Sequence, residues 1–170
     1  MIIAIISDIH DHFDYLSWAM NEISQKDVEY ILCLGDIVSP FAIKKLSQSP
    51  LPVFSIFGNN EGDRARIIRE SLREGSSVTM ADGEYSEWEK EGKKYFLSHY
   101  PDIAEYAACS GKYEAVFHGH THKKRNEKIS HVPIINPGEI CGSVTGIVSF
   151  ALFDTSMKSV EFVEKLKNDF

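Results

Sequence analysis

The chain has 170 residues, 43% hydrophobic and 25% charged, with 18 Lys+Arg against 25 Asp+Glu and a formal net charge of -7. That length and apolar content predict one domain over residues 1–170 that buries roughly 70% of its unfolded surface, and they exclude an intrinsically disordered chain. The acidic balance argues against stable nucleic-acid binding, which draws on a basic surface, but it admits a phosphorylated substrate wherever the site is locally positive.

In chain order, the first apolar run, Ile2–Ile6, predicts a buried strand. Phe13, Leu16, Met20 and Ile23 then recur at helical spacing and predict an amphipathic helix over Phe13–Lys26. A second strand is expected over Tyr30–Leu34, and a helix over Pro40–Gln48 behind the Ser39-Pro40 start signal. Val53–Phe57 predicts a strand and Asp63–Glu74 a helix, while the polar stretch Gly75–Glu91 has no assignable pattern. Tyr95–Leu97 and Ala115–Phe117 predict strands around a helix at Asp102–Ser110 that ends before Gly111. Lys123–Ser130 reads as a charged loop. Val132–Ile135 and Ile147–Phe153 read as strands, with a turn near Asp154-Thr155-Ser156. Strand–helix alternation in the first half implies parallel strands with helical crossovers, so the fold class is α/β: a mixed sheet, or a two-sheet sandwich, flanked by helices.

Cys33, Cys109 and Cys141 are odd in number and far apart, with no Cys-x-x-Cys pair. Neither a disulfide framework nor a thiolate zinc site is expected, and a reduced, cytoplasmic setting fits. No stretch nears the roughly 20 apolar residues of a membrane helix, and no membrane partner is expected.

The residues that follow the apolar runs carry the chemistry. Asp8 and His10 follow the first run, Gly35-Asp36 the second, Gly58-Asn59-Asn60 the third, His99 the run ending at Leu97, and Gly119-His120-Thr121-His122 the run ending at Phe117. Ligands of open α/β sheets bind beyond the carboxyl ends of strands, so these clusters can converge. Asp8/His10 and His120/His122 are spaced by two, which in extended backbone aims both side chains at one site. Gly35, Gly58 and Gly119 suit tight turns or close backbone approach. Two carboxylates, one amide oxygen and four imidazoles are too many donors for one tetrahedral zinc, and they suit two divalent cations sharing a carboxylate. Oxygen and imidazole donors without thiolate suit manganese, nickel, iron, cobalt or zinc.

At Asp8-Ile9-His10, Gly35-Asp36, Gly58-Asn59, His99 and Gly119-His120-Thr121-His122 the sequence resembles the calcineurin-like metallophosphoesterase superfamily, and within it the small single-domain archaeal and bacterial phosphodiesterases. The similarity extends to Asn136-Pro137-Gly138-Glu139 and Thr145-Gly146-Ile147. The resemblance implies a two-sheet β-sandwich of mixed strands with helices on both outer faces. It also implies two metal ions, manganese being the first expectation: Asp8, His10, Asp36 and His122 hold one, and Asp36 bridges to a second held by Asn59, His99 and His120. The implied activity is phosphodiester hydrolysis by in-line attack of a hydroxide bridging the two cations. Their charge exceeds what the two aspartates return, which supplies the locally positive site. Asn59 can also donate its amide to a phosphate oxygen.

The departures are informative too. Many members carry a proton-donating His directly after Gly-Asn. Here that position is Asn60, which cannot act as an acid, so good leaving groups or a proton from water or substrate are expected. The small phosphodiesterases of the subgroup lack that His as well. Glu61 is expected to orient a ligand, and Tyr100 to pack or to narrow the pocket. His12 is a candidate phosphate contact or simply the helix start. His118 is read as a strand residue behind the site and His131 as exposed. Lys123, Lys124 and Arg125 are read either as guides for an anionic substrate or as a solvated loop. The expected partner is a small phosphodiester or nucleotide-like substrate, with homo-oligomerisation left open. Phosphomonoester hydrolysis and a non-catalytic scaffold of the same fold, as in the retromer coat, are the alternatives.

Overall fold

The computed structural model describes residues 1–170. Its elements are β1 (Ile2–Ile6), α1 (Phe13–Ser24), β2 (Val28–Cys33), α2 (Pro40–Leu46), β3 (Val53–Ser55), α3 (Arg64–Ser71), β4 (Val78–Met80), β5 (Tyr85–Lys90), β6 (Lys93–Ser98), α4 (Pro101–Cys109), β7 (Ala115–His118), β8 (Arg125–Ile129), β9 (Val132–Asn136), β10 (Ile147–Asp154) and β11 (Ser159–Leu166). A short 3-10 turn, Lys167–Asp169, follows. One sheet has the order β11-β10-β1-β2-β3-β4 and the other β5-β6-β7-β9-β8.

Alternation along the strands explains the layers. In β1, Ile3 and Ile5 face a core between the sheets with Leu32, Leu34, Tyr95, Leu97, Phe117 and Phe153. Ala4 and Ile6 face outward onto Leu16, Ala19 and Ile23 of α1, Ala42, Ile43 and Leu46 of α2, and Ile67 of α3. The second sheet is covered outside by Ala104 and Ala108 of α4, packed on Val116, Val132 and Ile134. A strand covered on both faces needs apolar residues at every position, which is why β1 reads as an unbroken run. The result is a two-sheet sandwich with helices on both outer faces, as expected.

Helix starts follow their local chemistry. The Ser39 hydroxyl accepts from Phe41 N ahead of Pro40, and Asp63 accepts from Arg66 N at the start of α3. One expectation fails, and one stretch left unassigned proves to be ordered. Lys123–Ser130 is not a loop, because Arg125–Ile129 pairs antiparallel with β9 as the edge strand β8. Its exposed centre, Asn126 to Lys128, carries no apolar alternation, as edge strands often do not. Gly75–Glu91 holds β4 and β5, and β5 alternates exposed and half-buried residues around Trp88.

What positions the site is strand direction. β1, β2 and β3 are mutually parallel, as are β6, β7 and β9, so each sheet sends consecutive carboxyl ends toward one crest. Phe153, 1% exposed, packs edge-on against Phe117 in the core between the sheets, with ring centroids 5.4 Å apart. Phe153→Ala is expected to lower the unfolding free energy by about 3–5 kcal/mol, read from urea denaturation. A loss below about 1 kcal/mol would contradict the packing described here.

Candidate metal centre

Each predicted ligand leaves the end of a strand: Asp8 and His10 after β1, Asp36 after β2, Asn59 after β3, His99 after β6, and His120 and His122 after β7. They converge in two overlapping groups. In the first, donor atoms of Asp8, His10, Asp36 and His122 all lie within 4.8 Å of one another. His10 Nε2 stands 3.3 Å from Asp36 Oδ2, and His122 Nε2 stands 3.4 Å from Asp8 Oδ1. In the second, Asn59 Oδ1 is 2.9 Å from His99 Nε2 and 2.8 Å from His120 Nδ1, and His99 Nε2 is 3.5 Å from Asp36 Oδ1. Asp36 belongs to both groups, one oxygen toward each.

The route to convergence differs from the expected one. Asp8 and His10 do not alternate along extended backbone; both are left-handed, with φ of 55° and 45°, and so are Asp36, His120 and His122 at 52°, 67° and 62°. Such conformations cost roughly 1–2 kcal/mol per residue for side chains bearing a Cβ, with less for Asp and Asn, and the surrounding hydrogen bonds hold them in place. Ile9 N and His10 N both donate to Asp36 O at 3.0 Å, Asp8 N donates to Gly35 O, and Gly119 N donates to His99 O. The loops are therefore laced to one another. The expectation for the glycines holds: a Cβ at Gly58 would overlap the Asp36 carboxylate and backbone nitrogen, and one at Gly35 would sit 2.5 Å from Gly58 N.

Lone pairs face each other here. His99 Nδ1 donates to Leu34 O at 2.8 Å, which leaves Nε2 as an acceptor pointing at the oxygens of Asn59 and Asp36. His122 Nδ1 donates to the Glu139 carboxylate at 2.7 Å, which turns Nε2 toward Asp8. Asp8 Oδ1 and His10 Nε2 are buried and lack any hydrogen-bond partner. Converging, desolvated acceptors are unfavourable by themselves, and their separations match donors sharing an ion at about 2.1 Å. The residues fit divalent cations.

Burial raises the pKa of Asp8. It works the same way on Asp36, but the neighbouring His10 imidazole and hydrogen bonds from the side chain and backbone of Asn60 outweigh it and hold that carboxyl well below the usual range. Contacts with Cys141 and Glu139 push His122 up to about 10, whereas burial takes His118 down to about 4.

The other predicted residues have varied placements. Asn60 donates its backbone N and its Nδ2 to Asp36 at 2.7 and 2.9 Å, so it braces the shared ligand. Glu61 accepts from the backbone N of Gly58, Ile37 and Val38, tying together the turns that carry Asn59 and Asp36. His12 stacks on Tyr15, 5.1 Å between centroids. Tyr100 packs against His99 and His120. His118 is buried behind the crest, near Gly119 O and Asn136, and His131 is exposed. Lys124 pairs with Glu164, and Arg125 with Glu105 and Glu127. The cleft lined by Phe13, Phe41, Lys44, Lys45 and Gln48 contains none of the donors.

Glu139 was missed as a functional residue. It follows β9 as the ligands follow their strands, so the rule that found the others would have found it. Replacing Gly58 by Ala is expected to displace Asp36 and weaken divalent-cation binding at least ~10-fold, measured by calorimetric titration; wild-type affinity would show that the close approach is dispensable.

Residues 1–158 match the calcineurin-like phosphoesterase superfamily domain. A phosphodiesterase of Methanocaldococcus jannaschii is 34% identical over 160 residues, covering 93% of this chain and 95% of its own length. A solved archaeal phosphodiesterase superposes with a TM-score of 0.88 at 32% identity, covering 97% of this chain and 100% of that one. A Vps29 protein of Entamoeba histolytica shares the fold at a TM-score of 0.67 and 15% identity, over 98% of this chain and 99% of that one. Family match, identity over most of the chain and the Asp/His cluster agree: the chain belongs to the calcineurin-like phosphoesterase superfamily.

Proposed function

We propose that this chain is a phosphodiesterase that uses two divalent cations, manganese first among them, to hydrolyse a small or nucleotide-like phosphodiester. The observation that carries this reading is the pair of donor groups joined through Asp36, one oxygen in each. Asp8, His10, Asp36 and His122 are the residues that would hold one cation, and Asp36, Asn59, His99 and His120 the other. When bound, such cations supply charge that neutralises phosphoryl oxygens and lower the pKa of water enough to make it a nucleophile near neutral pH.

The chain's own groups do the rest. The buried carboxylates of Asp8 and Asp36 are held by their loops, so their positions do not relax when substrate arrives. Asn59 and His120 are exposed at the crest, where a phosphoryl group can reach them. With Asn59 Oδ1 turned toward His99 and His120, its Nδ2 is left to donate to a phosphoryl oxygen. Tyr100 forms a wall beside these imidazoles. The Asn60 amide is committed to Asp36 and carries no acidic proton, so the leaving group draws its proton from water and esters with acidic leaving groups react fastest. The same fold serves the Vps29 protein named above, but buried acceptors converging without partners are groups that a pure scaffold has no need to keep.

Protein loaded with manganese is expected to hydrolyse bis(4-nitrophenyl) phosphate, and Asp36→Ala to reduce turnover at least ~10³-fold, beyond what a single outer hydrogen bond contributes. Release of 4-nitrophenolate measures this. Loaded wild-type protein without turnover of any diester in a substrate panel would overturn the reading.

A further inference from the structure

Glu139 is a fully buried carboxylate, 0% exposed. Six donors converge on it. Oε2 accepts from His122 Nδ1 at 2.7 Å, Cys141 Sγ at 2.9 Å and Ser143 N at 2.9 Å; Oε1 accepts from Val144 N at 3.0 Å, Thr145 N at 2.6 Å and Thr145 Oγ1 at 2.8 Å. Its position does not depend on His122. The adjoining backbone is zipped to the end of β1, Ile140 N to Ser7 O and Cys141 N to Asp8 O, both at 3.0 Å. On the other side, a Cβ at Gly138 would overlap Ser149 Oγ, so the chain passes there at van der Waals limit. The carboxylate is thus fixed by the same strand end that delivers Asp8.

We infer that Glu139 is a positioning residue for the cation held by His122: it fixes that imidazole with Nε2 turned toward Asp8, strengthens it as a donor, and takes the Cys141 thiol as one of its own hydrogen-bond donors. This rests on the metal reading above. A carboxylate behind a metal-binding imidazole sets its tautomer and raises its basicity, and loss of such a partner typically lowers affinity ~10–100-fold. The second group is built differently, because His99 is backed by the neutral carbonyl of Leu34. The two cations are therefore held unequally, and only the one on His122 feels Glu139.

Cys141 invites another assignment, since its sulfur lies within 4.8 Å of donor atoms of His10 and His122. The geometry disfavours it as a ligand. Sγ stands 3.6 Å from His122 Nδ1, the nitrogen that already donates to Glu139, whereas the atom turned toward Asp8 is Nε2, on the opposite side of the ring. The sulfur sits behind the imidazole, and its proton goes to Glu139 Oε2.

Glu139 also joins this ring to the exposed stretch Ser143–Thr145 through three backbone N–H groups, so a test must separate positioning from loop support. Cobalt(II) is titrated into full-length wild type, Glu139→Gln, Thr145→Val and Cys141→Ser, with affinity read by chelator competition and ligand protons by paramagnetic NMR. In the wild type, two binding steps and a slowly exchanging, hyperfine-shifted ring N–H from His122 are expected. Glu139→Gln should weaken one step ~10–100-fold, leave the other unchanged and lose the slow exchange. Thr145→Val and Cys141→Ser each remove one of the six donors on Glu139 and leave its contact with His122, so neither should weaken a step to that extent. Unchanged affinity in Glu139→Gln overturns the inference, as does a sulfur-to-cobalt charge-transfer band in wild type that disappears in Cys141→Ser. Should Glu139→Gln fail to fold, fast exchange of every shifted ring N–H in the wild type overturns it equally. A wild type that binds cobalt in two steps but hydrolyses no diester leaves the positioning role standing while the phosphodiesterase reading falls; one that binds no cobalt removes both.

Discussion

Asp36 is the point on which the architecture turns. It is a carboxylate 1% exposed, shared between two groups of donors, each drawn from the strand ends of both sheets. Such a group is tolerated inside a protein only when fixed hydrogen bonds and opposite charge replace the water it has lost. Asn60 supplies two of those bonds, and His10 and His99 approach from either side. Every neighbouring loop is shaped to keep these partners in reach, from the glycine pair Gly35 and Gly58 that lets two turns touch, to Glu61, which ties those turns together.

Rigidity at the crest comes from the backbone as much as from side chains. The left-handed residues at Asp8, His10, Asp36, His120 and His122 store conformational strain, and the cross-loop hydrogen bonds over-determine them. A cation entering such a site finds donors already oriented, so little ordering entropy is lost on binding. The cost falls on the folded protein without a bound cation, in which unpartnered acceptors and neighbouring carboxylates oppose one another.

The buried strands and the helices between them were legible in the apolar pattern, because strands covered on two faces need apolar residues throughout and such helices bury only one stripe; the choice of two sheets with helices on both outer faces came from the family resemblance. β8 and β5 were not legible. Arg125–Ile129 and Tyr85–Lys90 are edge strands rich in charge, and their strand state derives from pairing with β9 and β6, not from their own residues. At the candidate metal centre all seven converging residues could be named from the sequence, because each follows an apolar run that reads as a strand. Glu61 was read as orienting a ligand and Glu139 lay within reach of the same strand-end rule, but the bracing of Asp36 by Asn60 and the meeting of six donors at Glu139 were not legible, since they depend on which loops touch.

The order of motifs along the chain determined by itself which residue types would meet, the family they belong to and the kind of ion they suit, because ligand chemistry resides in side-chain identity and strand ends are written in local patterning. Only the tertiary structure decided how they meet. Left-handed turns, not extended alternation, bring Asp8 to His10 and His120 to His122, and backing groups as different as the Leu34 carbonyl and the Glu139 carboxylate set which nitrogen each imidazole presents. Those choices depend on loop-to-loop contacts between residues distant in sequence, and no local pattern encodes them.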